Sequence, residues 1–229
     1  GWTLDSSYTV PLLFNEGYLT EKGVRVFDVD GDGLPDFVKS YEDAGNPTIT
    51  LDQSVYINDG SKADVLTDIT HSKGATTSVS YSPSTSFDNP NPPFVMQVVD
   101  TVIIDDGLGD TSTITYDYEG GEFYYESEYE KQFAGFETVT KTEDVRVTKT
   151  SYHQGDDDRS KIGRAYKTAV YDDAGNLYQL SYDTWTNYDL GYDNDFVYKE
   201  QSVSMTYDGG STSTDSAVAY DYDTATGNV

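Results

Sequence analysis

Cysteine is absent from this 229-residue sequence, so disulfides, thiolate metal sites and cysteine nucleophiles are all excluded. Long apolar runs are also missing, and a helix that crosses a bilayer needs about 20 consecutive apolar residues. Histidine occurs only as His71 and His153. A histidine-containing metal site would require both of them together with carboxylates, and a single histidine at a strand end is more typical of a structural residue.

Basic residues are scarce, with 14 Lys and Arg against 41 Asp and Glu, which gives a formal net charge of -27. This charge repels phosphate backbones and anionic lipid surfaces, so we expect neither nucleic-acid binding nor direct membrane insertion. It attracts divalent cations. A solvated, soluble surface explains most of the charge, and we favour that interpretation.

Helical periodicity is also missing, because no long stretch carries apolar residues at positions i, i+3, i+4 and i+7. Aromatic residues, in contrast, make up 14% of the chain, and Tyr alone contributes 21 residues. Tyr, Thr and Val favour strands. Short candidate strands alternate with Gly-, Asn- and Asp-rich turns such as Glu119-Gly120-Gly121, a pattern that predicts an all-β, antiparallel fold. The candidate strands are residues 24–27, 37–38, 77–81, 95–104, 112–118, 137–142, 145–152, 165–171, 177–182, 196–207 and 217–221.

One proline-rich segment, residues 83–93, holds four of the seven prolines. Proline lacks the N–H that a strand ladder needs, so this segment predicts a connection between a first region, residues 1–70, and a second, residues 71–229. The second region repeats the dipeptide Tyr-Asp, most clearly in residues 171–183, YDDAGNLYQLSYD. The last such phrase ends soon after its turn, so we expect the second region to be truncated at its C-terminus.

The most specific motif is DVDGDGLPD, residues 28–36. Alternating carboxylates in a tightly curled loop can point inward together, and calcium prefers many oxygen ligands. Gly33 permits the sharp turn. The motif predicts a Ca2+ site formed by four carboxylates and one backbone carbonyl, with the ligands Asp28, Asp30, Asp32, Leu34 (through its carbonyl) and Asp36.

The same motif does not fit an EF-hand. The twelfth position of the loop is Lys39, where an EF-hand needs a bidentate Glu, and the flanking residues indicate strands instead of helices. The expected class is therefore a nine-position acidic loop between two strands. The alternative is an acidic β-turn without metal.

Other acidic segments are weaker candidates for cation binding. Asp105, Asp106 and Asp110 could form a second calcium site, but they lack strict alternation and favour a simple turn. The run Asp156, Asp157 and Asp158 is more typical of a solvated loop. A glycosidase-type pair of carboxylates cannot be selected among so many acids, and the common nucleophile, metalloprotease and phosphate-loop motifs are absent. We therefore expect a protein that is not an enzyme.

A family resemblance follows from these residues. Residues 23–60 resemble an FG-GAP/VCBS-type β-propeller blade, through GVRVFDVDGDGLPDFV and the later VYINDG. The rest resembles the B component of bacterial Tc toxin complexes and SpvB-like proteins with Rhs (YD) repeats. The matching phrases are residues 64–84, 91–107, 113–139 with the motif FAGF at 133–136, 148–155 and 162–185.

The resemblance implies one propeller-like blade with a calcium loop, followed by antiparallel Rhs/YD-repeat strands of a β-shell. It also implies a secreted or cell-surface bacterial protein whose shell encapsulates a toxic C-terminal cargo. Its expected partners are other toxin-complex components and that cargo. The alternative is a calcium-dependent extracellular adhesin or carbohydrate-binding surface protein, which an exposed aromatic cluster with specific glycan binding would favour.

Overall fold

The computed structural model describes residues 12–17, 20–41, 52–191 and 195–223. The predicted fold class is confirmed, because the described ranges consist of antiparallel strands and two single-turn 3₁₀ helices, Ser84–Ser86 and Arg159–Lys161. Within these ranges, no helix has the length and apolar character needed to cross a membrane. The chain divides into two compact units, Gly1–Val65 and Leu66–Val229.

The first unit contains two small sheets. β1 and β2 form a two-stranded sheet, and β3, β4 and β5 form a three-stranded antiparallel sheet in sequence order. Val24 is the buried apolar residue of this sheet, at 2% exposure, whereas Val26 and Phe27 remain about half exposed. The strands are β1 (Asn15–Glu16), β2 (Thr20–Glu21), β3 (Val24–Phe27), β4 (Asp36–Tyr41) and β5 (Asp52–Tyr56).

The second unit is built on one ten-stranded sheet in which every strand pairs with its neighbours in sequence, from β6 at one edge to β15 at the other. Nine of these strands overlap candidate strands of the sequence. The exception is β6 (Asp68–Thr70), which was not a candidate. The nine are β7 (Thr76–Pro83), β8 (Gln97–Asp105), β9 (Thr111–Tyr125), β10 (Lys131–Glu143), β11 (Arg146–Tyr152), β12 (Ala165–Asp172), β13 (Leu177–Asp189), β14 (Asp195–Tyr207) and β15 (Ser213–Ala219).

Few side chains of this sheet are deeply buried. Among its described residues, the buried apolar side chains are Ile114, Ala134 and Ala169. A sheet covered by a second layer on one face would bury every other residue along its central strands. Most residues of β8 to β14 are only half buried. The sheet is therefore held mainly by its backbone ladder and by segments that cross it locally.

The expectation that residues 83–93 connect two regions is wrong. This segment lies between β7 and β8, which pair antiparallel in the same sheet. Together with the following Phe94, it folds back as a strap on β9 and β10. Phe87 packs edge-on against Tyr118 at 5.5 Å between ring centroids, and Phe94 packs against Phe123 and Phe133 at 5.5 and 5.7 Å. The prolines interrupt strand pairing here because the segment covers the sheet instead of extending it.

Asn89 fastens this strap to the backbone of the sheet. Its Nδ2 donates to the carbonyls of Ser84 and Tyr118, both at 3.1 Å, and its Oδ1 accepts the N–H of Gly121 at 2.7 Å. A Cβ atom on Gly121 would lie 2.9 Å from Cγ of Pro92. Gly121 is thus required for the close approach of the strap.

The turn predicted at Glu119-Gly120-Gly121 is also wrong, because β9 continues through these residues to Tyr125. The N–H of Gly120 donates to the carbonyl of Asp88 in the strap at 3.0 Å. The opposite strand has a β-bulge between Phe133 and Gly135. Gly120 and Gly121 therefore lie within a strand, at the place where the strap packs on it.

The clearest Tyr-Asp phrase forms a hairpin as predicted, with β12 ending at Asp172 and β13 beginning at Leu177. Asp172 accepts the N–H of Asn176 at 2.7 Å, which closes the turn. The tyrosines of the phrase do not face each other, since Tyr171 pairs with Leu177 and Tyr182 pairs with Lys167. At this hairpin, Tyr171 and Tyr182 are therefore not cross-strand neighbours.

The strand Asp68–Thr70 pairs with β7 in the ten-stranded sheet, although the sequence division assigns it to the first region. The compact units meet between Val65 and Leu66, five residues earlier than the expected boundary. Whether the first unit is a propeller blade stays a prediction.

Replacing Asn89 with Ala removes three hydrogen bonds to partly buried backbone groups. We expect the variant to lose about 1–3 kcal/mol of stability, because these groups would lose their partner without regaining water. Urea unfolding measured by tryptophan fluorescence gives this value. Asn91→Ala is the matched control, because exposed Asn91 bonds only the side chain of Glu122 among the described residues. Equal stability of the two variants would contradict the proposed fastening of the strap.

Candidate metal site

The acidic loop between β3 and β4 curls around the carboxylate of Asp28. One oxygen of Asp28 accepts the N–H groups of Gly31 and Asp32 at 2.7 and 3.2 Å, and the other accepts the N–H of Gly33 at 2.9 Å. Gly31 and Gly33 have φ values of 80° and 84°. Glycine adopts these angles without steric cost, so the alternating Gly and Asp of the sequence produce the tight curl directly.

Three carboxylates converge in this loop. Asp28, Asp30 and Asp36 each offer an oxygen, and these oxygens lie within 4.8 Å of one another. Across the described ranges, this is the one group of three or more acidic or histidine side chains with metal-ligand spacing. Carboxylate oxygens are the ligands that calcium prefers, and like charges at this distance repel each other unless a cation lies between them.

The remaining predicted ligands are Asp32 and Leu34. The carboxylate of Asp32 is not part of the converging group, and one of its oxygens accepts the N–H of Leu34 at 2.7 Å. The structure therefore brings together three of the four predicted carboxylates. A role for Asp32 or for the Leu34 carbonyl as a ligand stays a prediction.

Asp36 is fully buried, with 0% exposure. Its two oxygens accept the N–H of Asn58 and the N–H of Val29, each at 2.8 Å. These backbone donors, Asn58 first and Val29 second, hold the pKa of Asp36 below its ordinary value. Asp36 thus joins the acidic loop to the segment that follows β5, independently of any metal.

The segment after β5 contacts the loop at two further points. The amide of Asn58 donates to the carbonyl of Pro35 at 3.4 Å, and the ammonium of Lys62 donates to the carbonyl of Gly33 at 2.8 Å. In the sequence, residues 55–60 are singled out only as the phrase VYINDG of the blade resemblance, and this contribution is missed. A backbone N–H leaves no residue-type signal, and only the fold could reveal it.

The weaker acidic candidates have local hydrogen-bond partners. One oxygen of Asp106 accepts the N–H groups of Leu108, Gly109 and Asp110 at 2.7 to 3.1 Å, which closes the turn between β8 and β9. These donors lower the pKa of Asp106, with Leu108 contributing most. Asp158 accepts the N–H of Ser160 at the start of a 3₁₀ helix.

The two histidines belong to different local environments. His71 Nε2 lies 3.0 Å from the hydroxyl of Thr77, in the turn between β6 and β7. The ring of His153 packs against Tyr166, with 4.9 Å between centroids. Neither belongs to the converging group of ligands.

Substituting Asp36 with Asn tests its bridging role. Asn offers one acceptor oxygen where the fold requires two, so its NH₂ group would face a backbone donor. We expect the melting temperature at pH 7 to fall by several degrees. Because the folded pKa of Asp36 lies below the ordinary value of 3.8, its contribution is present above that pH and is lost as the pH falls through the folded pKa. The difference between variant and wild type should therefore shrink below about pH 4.

Asp106→Asn is the matched control for this experiment. A single oxygen of Asp106 accepts all three N–H groups, and an Asn oxygen can do the same. Thermal melts monitored by circular dichroism from pH 2.5 to 7 compare the two variants. A destabilisation of Asp106→Asn as large as that of Asp36→Asn would refute the two-oxygen argument.

A chain with a similar fold occurs among the solved structures. The crystal structure of TcdB2-TccC3-Cdc42 includes a chain that is 14% identical to this one, with a TM-score of 0.60. The similarity covers 81% of this chain but only 12% of that chain, so the present sequence corresponds to a small part of that relative. No curated protein matches the sequence.

A family model supplies the second finding. The family described as "Insecticide toxin TcdB middle/N-terminal region" matches residues 9–160, about two thirds of the chain. The match covers the acidic loop, the strap and strands β6 to β11. This chain therefore belongs to the family of the insecticide toxin TcdB middle/N-terminal region.

Proposed function

We propose that this chain is a non-catalytic structural part of a secreted bacterial toxin-complex protein and contributes strands to a β-shell around a toxic cargo. Membership of the TcdB middle/N-terminal family is the observation that carries the proposal. The crystal structure that contains the similar chain is that of TcdB2 together with TccC3 and Cdc42. By analogy, the parent of this chain associates with other toxin components and with its C-terminal cargo.

The construction of the second unit supports a role as part of a wall. Its ten strands follow one another across one sheet, and few of their described side chains are deeply buried. Such a sheet can enclose space if neighbouring segments continue it. In this proposal, the Tyr-Asp phrases are repeating hairpin units of the wall. The resemblance of the second unit to SpvB-like proteins refers to the same strands.

The first unit is assigned as one blade of an FG-GAP/VCBS-type propeller. Several large apolar side chains on or beside its three-stranded sheet are 44–51% exposed, which a blade would cover with neighbouring blades. They are Val26, Phe27, Val55, Tyr56 and Ile57. In this assignment, the acidic loop binds calcium and thereby stabilises the connection between β3 and β4.

Cryo-electron microscopy of the full parent protein tests the shell. We expect strands β6 to β15 in the wall of a hollow assembly, with the cargo inside. A compact β-sandwich with a filled interior and no enclosed volume would overturn the proposal. Removing the cargo-bearing segment provides the control, because density inside the shell should disappear while the wall remains.

Calcium should stabilise the first unit by mass action, because the unfolded loop has no preformed site. At free calcium about 100 times the dissociation constant, the gain is about 2.7 kcal/mol. We expect a chelator to lower the melting temperature of the wild type and to leave Asp30→Ala unchanged. Differential scanning fluorimetry with and without chelator measures both.

Asp173→Ala is the control, because Asp173 lies in the turn between β12 and β13, outside the converging carboxylates. It should keep the full response to calcium. Isothermal titration calorimetry that detects no binding at millimolar calcium would eliminate the calcium site. It would leave the shell proposal intact, since the two experiments concern different units.

A further inference from the structure

A second binding site can be inferred in the ten-stranded sheet, beneath the connection between β11 and β12. This connection, residues 153–164, leaves the sheet and returns across it. Gln154 holds its start by donating to the carbonyls of Gly120 and Gly135, at 2.5 and 3.1 Å. A Cβ atom on Gly155 would lie 2.7 Å from Ile162, so the connection is tightly closed on itself.

A cavity of about 250 Å³ lies beside this connection. It is smaller than the roughly 300–1,000 Å³ of sites for drug-sized ligands, so it suits a group the size of one side chain. Its walls combine aromatic rings with carboxylates, from Glu137, Tyr152, His153, Asp156, Asp157 and Tyr166. No Lys or Arg is among the described residues that line it.

The basic residues nearest in sequence already have acidic partners, one of which lines the cavity. Arg159 forms an ion pair with Glu126, and Lys161 lies 3.6 Å from Asp158 and 3.9 Å from Asp157. Within the described ranges, neither Glu137 nor Asp156 has a basic side chain within ion-pair distance. Glu137 and Asp156 therefore place negative charge next to aromatic faces without an ion-pair partner among the described residues, whereas Asp157 lies near Lys161.

Asp156 is also held in place. Its Oδ1 accepts the hydroxyl of Tyr124 at 2.8 Å. Burial and this hydrogen bond raise the pKa of Tyr124 to about 12, so the phenol remains a donor at neutral pH. One oxygen of Asp156 is thereby fixed, and its other oxygen accepts no hydrogen bond from the described residues.

In the described ranges, both guanidinium and ammonium groups already lie over aromatic rings. The guanidinium of Arg159 lies 4.4 Å from the centroid of the Tyr124 ring while it pairs with Glu126. Arg164 lies over the Trp185 ring at 5.2 Å, and Lys199 lies 5.4 Å from the same ring while it pairs with Asp183 at 2.7 Å. A planar guanidinium can stack on an aromatic ring and donate to carboxylates at once, which a compact ammonium does less well.

We propose that the cavity formed by Glu137, Tyr152, Asp156 and Tyr166 binds a guanidinium group presented from outside the described fold. The group would stack against a tyrosine ring and donate to the carboxylates of Glu137 and Asp156. This inference is independent of the calcium loop and of the shell proposal.

Titration with agmatine, and with the peptide Gly-Gly-Arg-Gly-Gly, tests the site by NMR chemical-shift perturbation of the intact chain. The isosteric neutral control is the peptide with citrulline in place of arginine. We expect the arginine peptide to bind at least about tenfold more tightly than the citrulline peptide, a difference of about 1.4 kcal/mol. Tighter binding of the peptide identifies a polypeptide side chain as the natural ligand, and tighter binding of agmatine identifies a small molecule.

Variants separate this site from general attraction to an acidic protein. Glu137→Gln and Asp156→Asn should each weaken arginine-peptide binding about tenfold, because each removes a charge-assisted contact. Asp173→Asn, which removes a charge in a turn outside this cavity, should leave the affinity unchanged. Tyr166→Leu should weaken binding and Tyr166→Phe should preserve it, because the ring face supplies the contact.

Three results would each overturn the proposal. They are equal affinity for the arginine and citrulline peptides, an effect of Asp173→Asn as large as that of Glu137→Gln, and unchanged binding by both Glu137→Gln and Asp156→Asn. Glu137 and Asp156 are exposed, so their substitution should leave the fold intact, and the melting temperature verifies this.

Discussion

Backbone hydrogen bonding between consecutive strands is the interaction on which the second unit depends. Each bond contributes only about 0.5–1.5 kcal/mol net, but an unpaired buried backbone group costs more than a pair gains. In a sheet with few deeply buried side chains, the ladder fixes the register, and the side chains then adapt to it. This explains why half-buried Thr, Tyr, Ser and Val can build a ten-stranded sheet without a thick apolar core.

The two ends of that sheet differ. Because the strands alternate in direction, the connections after β7, β9, β11 and β13 lie at one end, and those after β6, β8, β10, β12 and β14 lie at the other. The second group consists of short turns such as the one closed by Asp106. The first includes the strap fastened by Asn89 and the connection that forms the cavity near His153. Packing and binding chemistry are therefore concentrated at the end with the longer excursions.

The sequence predicted most strands of this sheet, because Tyr, Val and Thr runs bounded by Gly and Asp turns report local backbone preference. The sequence-based prediction was wrong where a segment distant in sequence packs on the residues concerned. Gly120 and Gly121 have turn-type composition, yet they lie within a strand because the strap approaches them. The prolines of residues 83–93 have linker-type composition, yet they cover the sheet.

The same distinction applies to the sites. Asp28, Asp30 and Asp36 belong to one short acidic segment and their carboxylates converge, whereas Asp32, which the spacing also predicts as a ligand, does not join them. The N–H of Asn58 that anchors Asp36 is a backbone atom of a distant segment, which composition cannot identify. Glu137 is one of 41 acidic residues, and only the sheet brings it to the cavity beside Asp156.

The pairing of each strand only with its neighbours in sequence also determines how this sheet can form. No ladder has to wait for a distant part of the chain, and such local topologies fold faster than those that join remote segments. A polypeptide that emerges with its N-terminus first could add each hairpin to the edge left by the preceding one. The spatial order of the strands then equals their order of synthesis, and the sheet can grow from the β6 edge while later residues are still being made.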